Sequence, residues 1–410
     1  MKRRFILFSD TFLWLKGDNG LLYNAHNGQQ FHFRVSKEIR ILCSHFLNMD
    51  NLYSYSYDIE NETPAVRNFF NGIESRGLGR FVDSLSRMVI LPPFLKIEND
   101  VNHWKNDMYS FPMLEYLRCV TIYLGGEFED NDLYIQTEYP FNSQYRIGNG
   151  DIIQFVAKCL TIPVKEVNIV INDLFHTGTL QLLNYWVDMG DTKSLTLFVC
   201  SPNSIEEINM INKLLTMGYS IVVLFRWDSN ICFADSLYVR DNVRWRFLVK
   251  REQDIIKTES IRNKIKASNY EIIPIADDNY KFFLSHVFLD SSDLLTTVIT
   301  KRQIFIHQTL NINYFGKIIV MPDGRIYSNV MCKPIGKLTD SLHHIILEEF
   351  KHNYSWRLIR NSRDCKLCVY QWICPSPFIQ EKMLNHNRAC TLTEEDLQSF
   401  QSIRYQDKLT

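Results

Sequence analysis

The chain has 410 residues, 46% of them hydrophobic, which is more than one core usually holds, so two or three folded domains are expected. Its 45 basic and 46 acidic side chains leave a formal net charge of -1, so no bulk electrostatic attraction to nucleic acid or to an anionic membrane is expected. Lys2, Arg3 and Arg4 precede the apolar run Phe5-Ile6-Leu7-Phe8, but Ser9 and Asp10 end that run well short of a signal segment, and no stretch approaches a membrane span. The expected location is cytoplasmic, with no membrane partner.

Residues 5–15 and 20–33 are apolar and aromatic-rich, and Gly17-Asp18-Asn19-Gly20 between them suits a hairpin turn, so two antiparallel strands are predicted. Ile39, Leu42, Cys43 and Phe46 then recur at helical spacing within 35–47. Tyr53, Tyr55 and Tyr57 alternate, which on a strand places all three on one face; a core face is expected rather than an exposed binding surface. Residues 1–95 thus read as a small β-then-α unit, and Pro92-Pro93 with Glu98-Asn99-Asp100 reads as a linker.

From about residue 110 to 300 strands alternate with helices. Strand candidates are 117–124, 167–171, 195–200, 221–225, 243–249 and 272–275, several of them continuous β-branched runs that suit parallel strands covered on both faces. Ser204-x-x-Glu207 is a capping box, and Ile205, Ile208, Ile211 and Leu215 give the helix it opens an apolar face. Six strands with helical crossovers over this length predict an α/β partial (βα)6 barrel, since a closed eightfold barrel needs about 250 residues. After residue 300 the alternation stops. Residues 303–307, 317–320 and 325–327 read as short antiparallel strands, with Pro322-Asp323-Gly324 as a turn, and 341–350 reads as a helix.

Ten cysteines are present, six of them scattered and four, Cys365, Cys368, Cys374 and Cys390, within one short segment. The spacing C-x2-C-x5-C with a later fourth cysteine brings soft ligands toward one metal, and it suits an iron-sulfur cluster or structural zinc. Spacing does not choose between them; His386 is an available substitute ligand for zinc. Gly77-x-Gly79 and Gly148-x-Gly150 lack a third glycine and read as turns, and the adjacent His343 and His344 point apart on a helix. The acidic run Glu127, Glu129, Asp130 and Asp132 reads as solvated loop charge.

The order Pro322-Asp323-Gly324-x-Ile326-Tyr327, Gly336-Lys337-Leu338, helix, C-x2-C-x5-C resembles the SPASM domain of radical-SAM enzymes that modify ribosomally made peptides. That resemblance implies one [4Fe-4S] cluster on Cys365, Cys368, Cys374 and Cys390, with structural zinc as the alternative. The family's other auxiliary cluster needs a cysteine where Phe378 stands, and only Cys332 remains near its second group of ligands. Radical-SAM enzymes also carry C-x3-C-x2-C after the first barrel strand. Here Val120-Thr121-Ile122-Tyr123-Leu124 is followed by Gly125 and Gly126, with no cysteine before Cys159. The chain therefore resembles the pseudo-radical-SAM proteins of Bacteroidales-type maturation systems with Gly-Gly leaders, and no binding of S-adenosylmethionine is expected.

The resemblance implies three units: a winged-helix-like peptide-recognition unit over 1–95, a degenerate partial barrel over 110–300 and a SPASM-type unit over 301–410. It implies a non-catalytic partner that binds a precursor peptide with its leader, an active radical-SAM maturase, or both. The alternative is an iron-sulfur electron relay or a peptide-modifying enzyme without radical chemistry.

Overall fold

The computed structural model describes residues 2–51, 54–58, 63–82, 113–125, 145–227, 242–265, 269–393 and 395–396. The linker motifs at 92–100, the acidic loop at 127–132, Tyr53 and Cys232 lie outside the described residues. Among the described residues, no helix is long and apolar enough to cross a membrane.

The N-terminal segment forms four strands where two were expected: β1 (Lys2–Leu7), β2 (Thr11–Lys16), β3 (Asn19–Asn24) and β4 (Gln30–Arg34). Ser9 and Asp10 break the first apolar run, so β1 enters one sheet while β2 pairs with β3 across the 17–18 turn in another. The second run breaks likewise at 25–29, where the Asn24 side chain accepts N–H groups from His26 and Asn27 and β4 returns alongside β3. α1 (Lys37–Leu47) begins at the Ser36 cap and buries Ile39, Leu42, Cys43 and Phe46, as the periodicity predicts. β5 (Ser54–Asp58), α2 (Pro64–Glu74) and β6 (Gly79–Val82) complete the unit, with sheet orders β5-β1-β6 and β2-β3-β4. Phe5, Leu22, Phe46 and Phe70 share one core, against which Tyr55 packs, so the core reading of that tyrosine holds although β5 is a sheet edge. Gly77 turns the chain into β6 with φ +63°, whereas Gly148 is a helix cap rather than a turn.

The next six strands are β7 (Cys119–Tyr123), β8 (Glu166–Val170), β9 (Leu195–Cys200), β10 (Ser220–Arg226), β11 (Val243–Val249) and β12 (Tyr270–Pro274). They pair in parallel and in chain order, with no reversal of strand order. Alternate residues such as Val120, Ile169, Leu197, Val223 and Phe247 point to one face. There they share a core with α3 (Asn149–Leu160), α4 (Thr177–Met189) and α5 (Ile205–Thr216), which buries Ile208, Ile211, Leu214 and Leu215 but leaves Ile205, its first residue, exposed. The other set, including Tyr123, Val170, Phe198, Leu224 and Leu248, forms a smaller apolar cluster on the opposite face. α6 (Glu252–Ile265) follows β11.

β12 leads through α7 (Tyr280–His286) and α8 (Ser291–Thr296) to α9 (Lys301–Thr309). The strand expected at 303–307 is therefore a helix. Thr300 and Gln303 form a reciprocal capping box, and Ile304 and His307 are buried one turn apart. β13 (Lys317–Val320) and β14 (Arg325–Tyr327) are antiparallel as expected, with Gly324 at φ +80° between them, and β15 (Gly336–Lys337) follows. β13 also pairs in parallel with β7, which makes one nine-stranded sheet of the order β12-β11-β10-β9-β8-β7-β13-β14-β15. Gly316 permits that junction. Its φ is +76°, a Cβ there would meet the Tyr116 carbonyl at 2.5 Å, and its own carbonyl accepts the Arg118 and Cys119 N–H groups. α10 (Leu342–His352) starts at its Ser341 cap and joins the main core through Ile345, Ile346 and Phe350. The chain ends its described course with α11 (Arg363–Leu367) and α12 (Ile379–Met383).

Candidate metal centre

The clustered cysteines are placed by short-range geometry. Ser362 caps α11 by accepting the Cys365 N–H, Cys368 ends that helix with its own N–H on the Cys365 carbonyl, and the Cys374 N–H reaches the Tyr370 carbonyl. C-x2-C-x5-C is thus folded into successive tight turns. Cys390 arrives from the later segment through an isolated parallel bridge to Leu289, with Leu289 N–H on Ala389 and Thr391 N–H on Leu289. All four residues line one cavity of about 450 Å³. Cys365, Cys374 and Cys390 are buried and Cys368 is partly so, and the nine described cysteines are all free of disulfides.

Burial dominates the thiol chemistry. It pushes Cys368 up to about 12, Cys374 well above the usual thiol range and Cys390 upward, and neighbouring thiolates of the same cluster add to the effect at each. Without a cation these groups therefore hold their protons, and metal uptake must release them. Three cations line the same cavity: Lys16, Arg360 and Arg388. Lys16 acts on Cys368, Arg360 on Cys374 and Cys365, and Arg388 on Cys390.

Arg360 is only 3% exposed and makes a two-pronged ion pair with Glu381 at 2.8 and 2.9 Å, while its Nε donates to the Pro375 carbonyl at 2.8 Å. The segment beyond Cys374 is held further by Asn311, whose amide donates to Leu358 and Pro377 carbonyls, and by Asn313 on Ser376 and Pro377.

Among the described residues, no three His, Cys, Asp or Glu side chains are gathered as ligands of a single ion. The four cysteines line one cavity and are close enough to shift one another's protonation. A single zinc draws its sulfurs to about 2.3 Å from one point. Four thiols on one cavity are a soft donor set that suits either an iron-sulfur cluster or a zinc ion. His386 turns away from a ligand role: its ring stacks on Phe288 at 4.5 Å, Nδ1 meets the Tyr280 hydroxyl at 3.1 Å and Nε2 meets the Cys390 carbonyl at 3.3 Å.

The remaining cysteine positions are dispersed. Cys332 lies apart, with its thiol raised by burial and directed to the Tyr354 carbonyl at 3.6 Å. Phe378 packs at 6.2 Å from Phe288. Cys159 is fully buried in the helix layer and pushed up to about 12. A second cavity, of about 340 Å³, lies at the carboxyl ends of β10, β11 and β12 and is lined by Arg226, Trp227, Lys250, Asp254 and Asp277 among others. Ligands of open α/β sheets bind at that end. Sequence reasoning found the four cysteines but missed Lys16, Arg360 and Arg388, which stand in no motif and meet the site only through the tertiary fold.

No protein-family model matches the chain, and no curated protein matches it. Among solved structures, it is similar to Streptococcus suis SuiB bound to its precursor peptide SuiA, with 11% identity and a TM-score of 0.40 over 95% of this chain and 100% of that one. It is likewise similar to S. suis SuiB alone, at 10% identity, and to SuiB bound to S-adenosylmethionine, at 11%. Each of these has a TM-score of 0.42 over 94% of this chain and 100% of the other.

Proposed function

We propose that this chain is a non-catalytic, pseudo-radical-SAM partner in the maturation of ribosomally made peptides, with one [4Fe-4S] cluster on Cys365, Cys368, Cys374 and Cys390. The observation that carries this reading is the gathering of these four thiols around one cavity, in a chain whose first parallel strand is followed by no cysteine before the buried Cys159. Strands laid down in chain order with helices on one face support a partial α/β barrel. The mixed-charge cavity at the carboxyl ends of β10 to β12 suits a segment of peptide, and the small N-terminal sheets offer edge strands for strand addition.

When bound, the cluster supplies folding energy to the C-terminal unit and a site for one-electron transfer. The protein's own residues do the rest. The thiols bind, Lys16, Arg360 and Arg388 offset the accumulated thiolate charge, and Leu21, Tyr23, Tyr370 and Ile373 wall the cysteines with apolar surface.

Co-expression with a radical-SAM maturase and short precursor encoded beside it, followed by affinity capture, tests the proposal. A complex at micromolar concentration that contains the precursor or the maturase is expected. Reductive cleavage of S-adenosylmethionine by the isolated chain, or no complex with either partner, contradicts it. If Cys374→Ser abolishes product formation by the paired system while the complex persists, the electron-relay reading takes its place.

A further inference from the structure

We infer that the group held by the four cysteines also fastens the N-terminal β2–β3 hairpin, so that loading and loss of the metal set how firmly the N-terminal sheet is docked. This inference rests on the four-thiolate reading above and adds a regulated element to it.

The turn of the hairpin, Lys16-Gly17-Asp18-Asn19, forms part of the wall of the cysteine cavity. Lys16 Nζ donates to Gln371 Oε1 at 2.9 Å, and Gln371 lies between Cys368 and Cys374; its own amide donates to the Arg360 carbonyl at 2.7 Å. The hairpin turn, the cysteine loop and the buried arginine are thus linked in one hydrogen-bonded series. Behind the turn, Leu21 and Tyr23 are fully buried in the same apolar cluster as Cys374 and Cys390. The Tyr23 hydroxyl donates to the Ile299 carbonyl at 3.2 Å and accepts the Ile299 N–H at 2.7 Å, and the Tyr370 hydroxyl meets His32 of β4 at 2.9 Å. Lys301 adds a contact from α9 to the Ser9 carbonyl at 2.8 Å.

β3 is therefore covered on both faces, by its own helices on one side and by the cysteine-bearing segment on the other. The covering segment has little regular structure: between Cys365 and Cys374 it offers the end of a five-residue helix and turns. Side-chain burial and hydrogen bonds, not a helix or strand, hold this segment, so a further tie between its ends adds to its protection against local opening. A metal group bound to three residues of this loop and to Cys390 provides that tie. Coupling of this kind is reciprocal, so docking of the hairpin must strengthen metal retention by the same factor that the metal strengthens docking.

Hydrogen–deuterium exchange on the full chain tests the coupling, comparing protein reconstituted with ferrous iron and sulfide under anaerobic conditions with the same protein stripped by a chelator. Stripping is expected to raise exchange in 12–16 and 20–24 by about tenfold or more, and to leave 120–123 and 195–199 unchanged. Tyr23→Phe, which removes the hydroxyl contacts to Thr297 and Ile299 but keeps the ring that packs behind the cysteines, is expected to load fully and then release metal to a chelator on the order of fivefold faster. Equal hairpin exchange in the loaded and stripped forms overturns the inference, as does wild-type metal release from Tyr23→Phe when its hairpin protection has fallen. A chain that takes up no stoichiometric metal overturns the four-thiolate reading, and this inference with it.

Discussion

Between β7 and β12 the interior is made of alternate aliphatic and aromatic side chains, Ile169 against Leu197 against Ile221, packed on helices whose inward faces are equally apolar. Between residues 307 and 390 the interior also holds charged and amide groups: Arg360 on Glu381, Glu349 on the turn at 355–356, Asn311 on two carbonyls and His307 on another. An apolar layer tolerates small shifts because dispersion and burial are non-directional. Buried polar clamps hold one geometry and lose heavily when a partner is missing. The second kind of core is what a ligand set of four thiols needs, because their approach must be fixed before a metal arrives.

The largest expected effect breaks that contrast at its strongest clamp. Arg360→Met leaves Glu381 buried without its cation and is expected to cost about 3–5 kcal/mol of folding stability, read by urea denaturation through tryptophan fluorescence. Adding Glu381→Leu to it is expected to recover most of that loss, while metal retention stays low because the cavity still lacks a cation. A double variant no more stable than the single one contradicts the clamp.

A smaller effect is expected at Glu349, which is buried and accepts N–H groups from Ser355 and Trp356 at 2.9 and 2.7 Å and the Ser328 hydroxyl at 2.5 Å. Burial raises its proton affinity against the pull of those donors. Glu349→Gln keeps an acceptor for the two N–H groups and a donor for Ser328, so it is expected to cost less than about 1 kcal/mol. Glu349→Ala orphans the N–H groups and is expected to cost about 1–3 kcal/mol. Equal costs for the two variants would show that the hydrogen bonds do not set the turn.

The smallest effect is a pH dependence. His307 donates from Nδ1 to the Trp372 carbonyl at 3.0 Å, and burial lowers its proton affinity below the usual 6.5. Its folded value lies below its unfolded one, so the stability it contributes is present above pH 6.5 and is lost as the pH falls from there through the folded value. In His307→Asn, stability is expected to fall less between about pH 7 and pH 5 than in the wild type. Identical pH profiles contradict a buried neutral imidazole.

The same contrast explains what could be read in the sequence. The six parallel strands and the capped helix after Ser204 declare themselves by local runs and periodicity, because apolar packing repeats along the chain. The helix at Lys301–Thr309 was obscured by its mixed Gln-Ile-Phe-Ile-His composition, although Thr300 and Gln303 carried a capping signature. The division of the first two apolar runs into β1 to β4 turned on Ser9, Asp10 and the Asn24 side chain, short polar breaks that a window over the whole run averages away. The four cysteines were legible by spacing. Lys16 and Arg360 were not, since the first reaches the site from a hairpin 355 residues from its partner Gln371 and the second is defined by an ion pair with Glu381.

What the four thiols hold separates an iron-sulfur protein from a zinc protein. Iron, zinc and acid-labile sulfide should be measured on the chain purified without oxygen, beside Cys368→Ser and Cys374→Ser. The expected result is about four irons and four sulfides per chain with negligible zinc, lost in both variants. A colourless protein with one zinc, or iron content unchanged by either substitution, would contradict it.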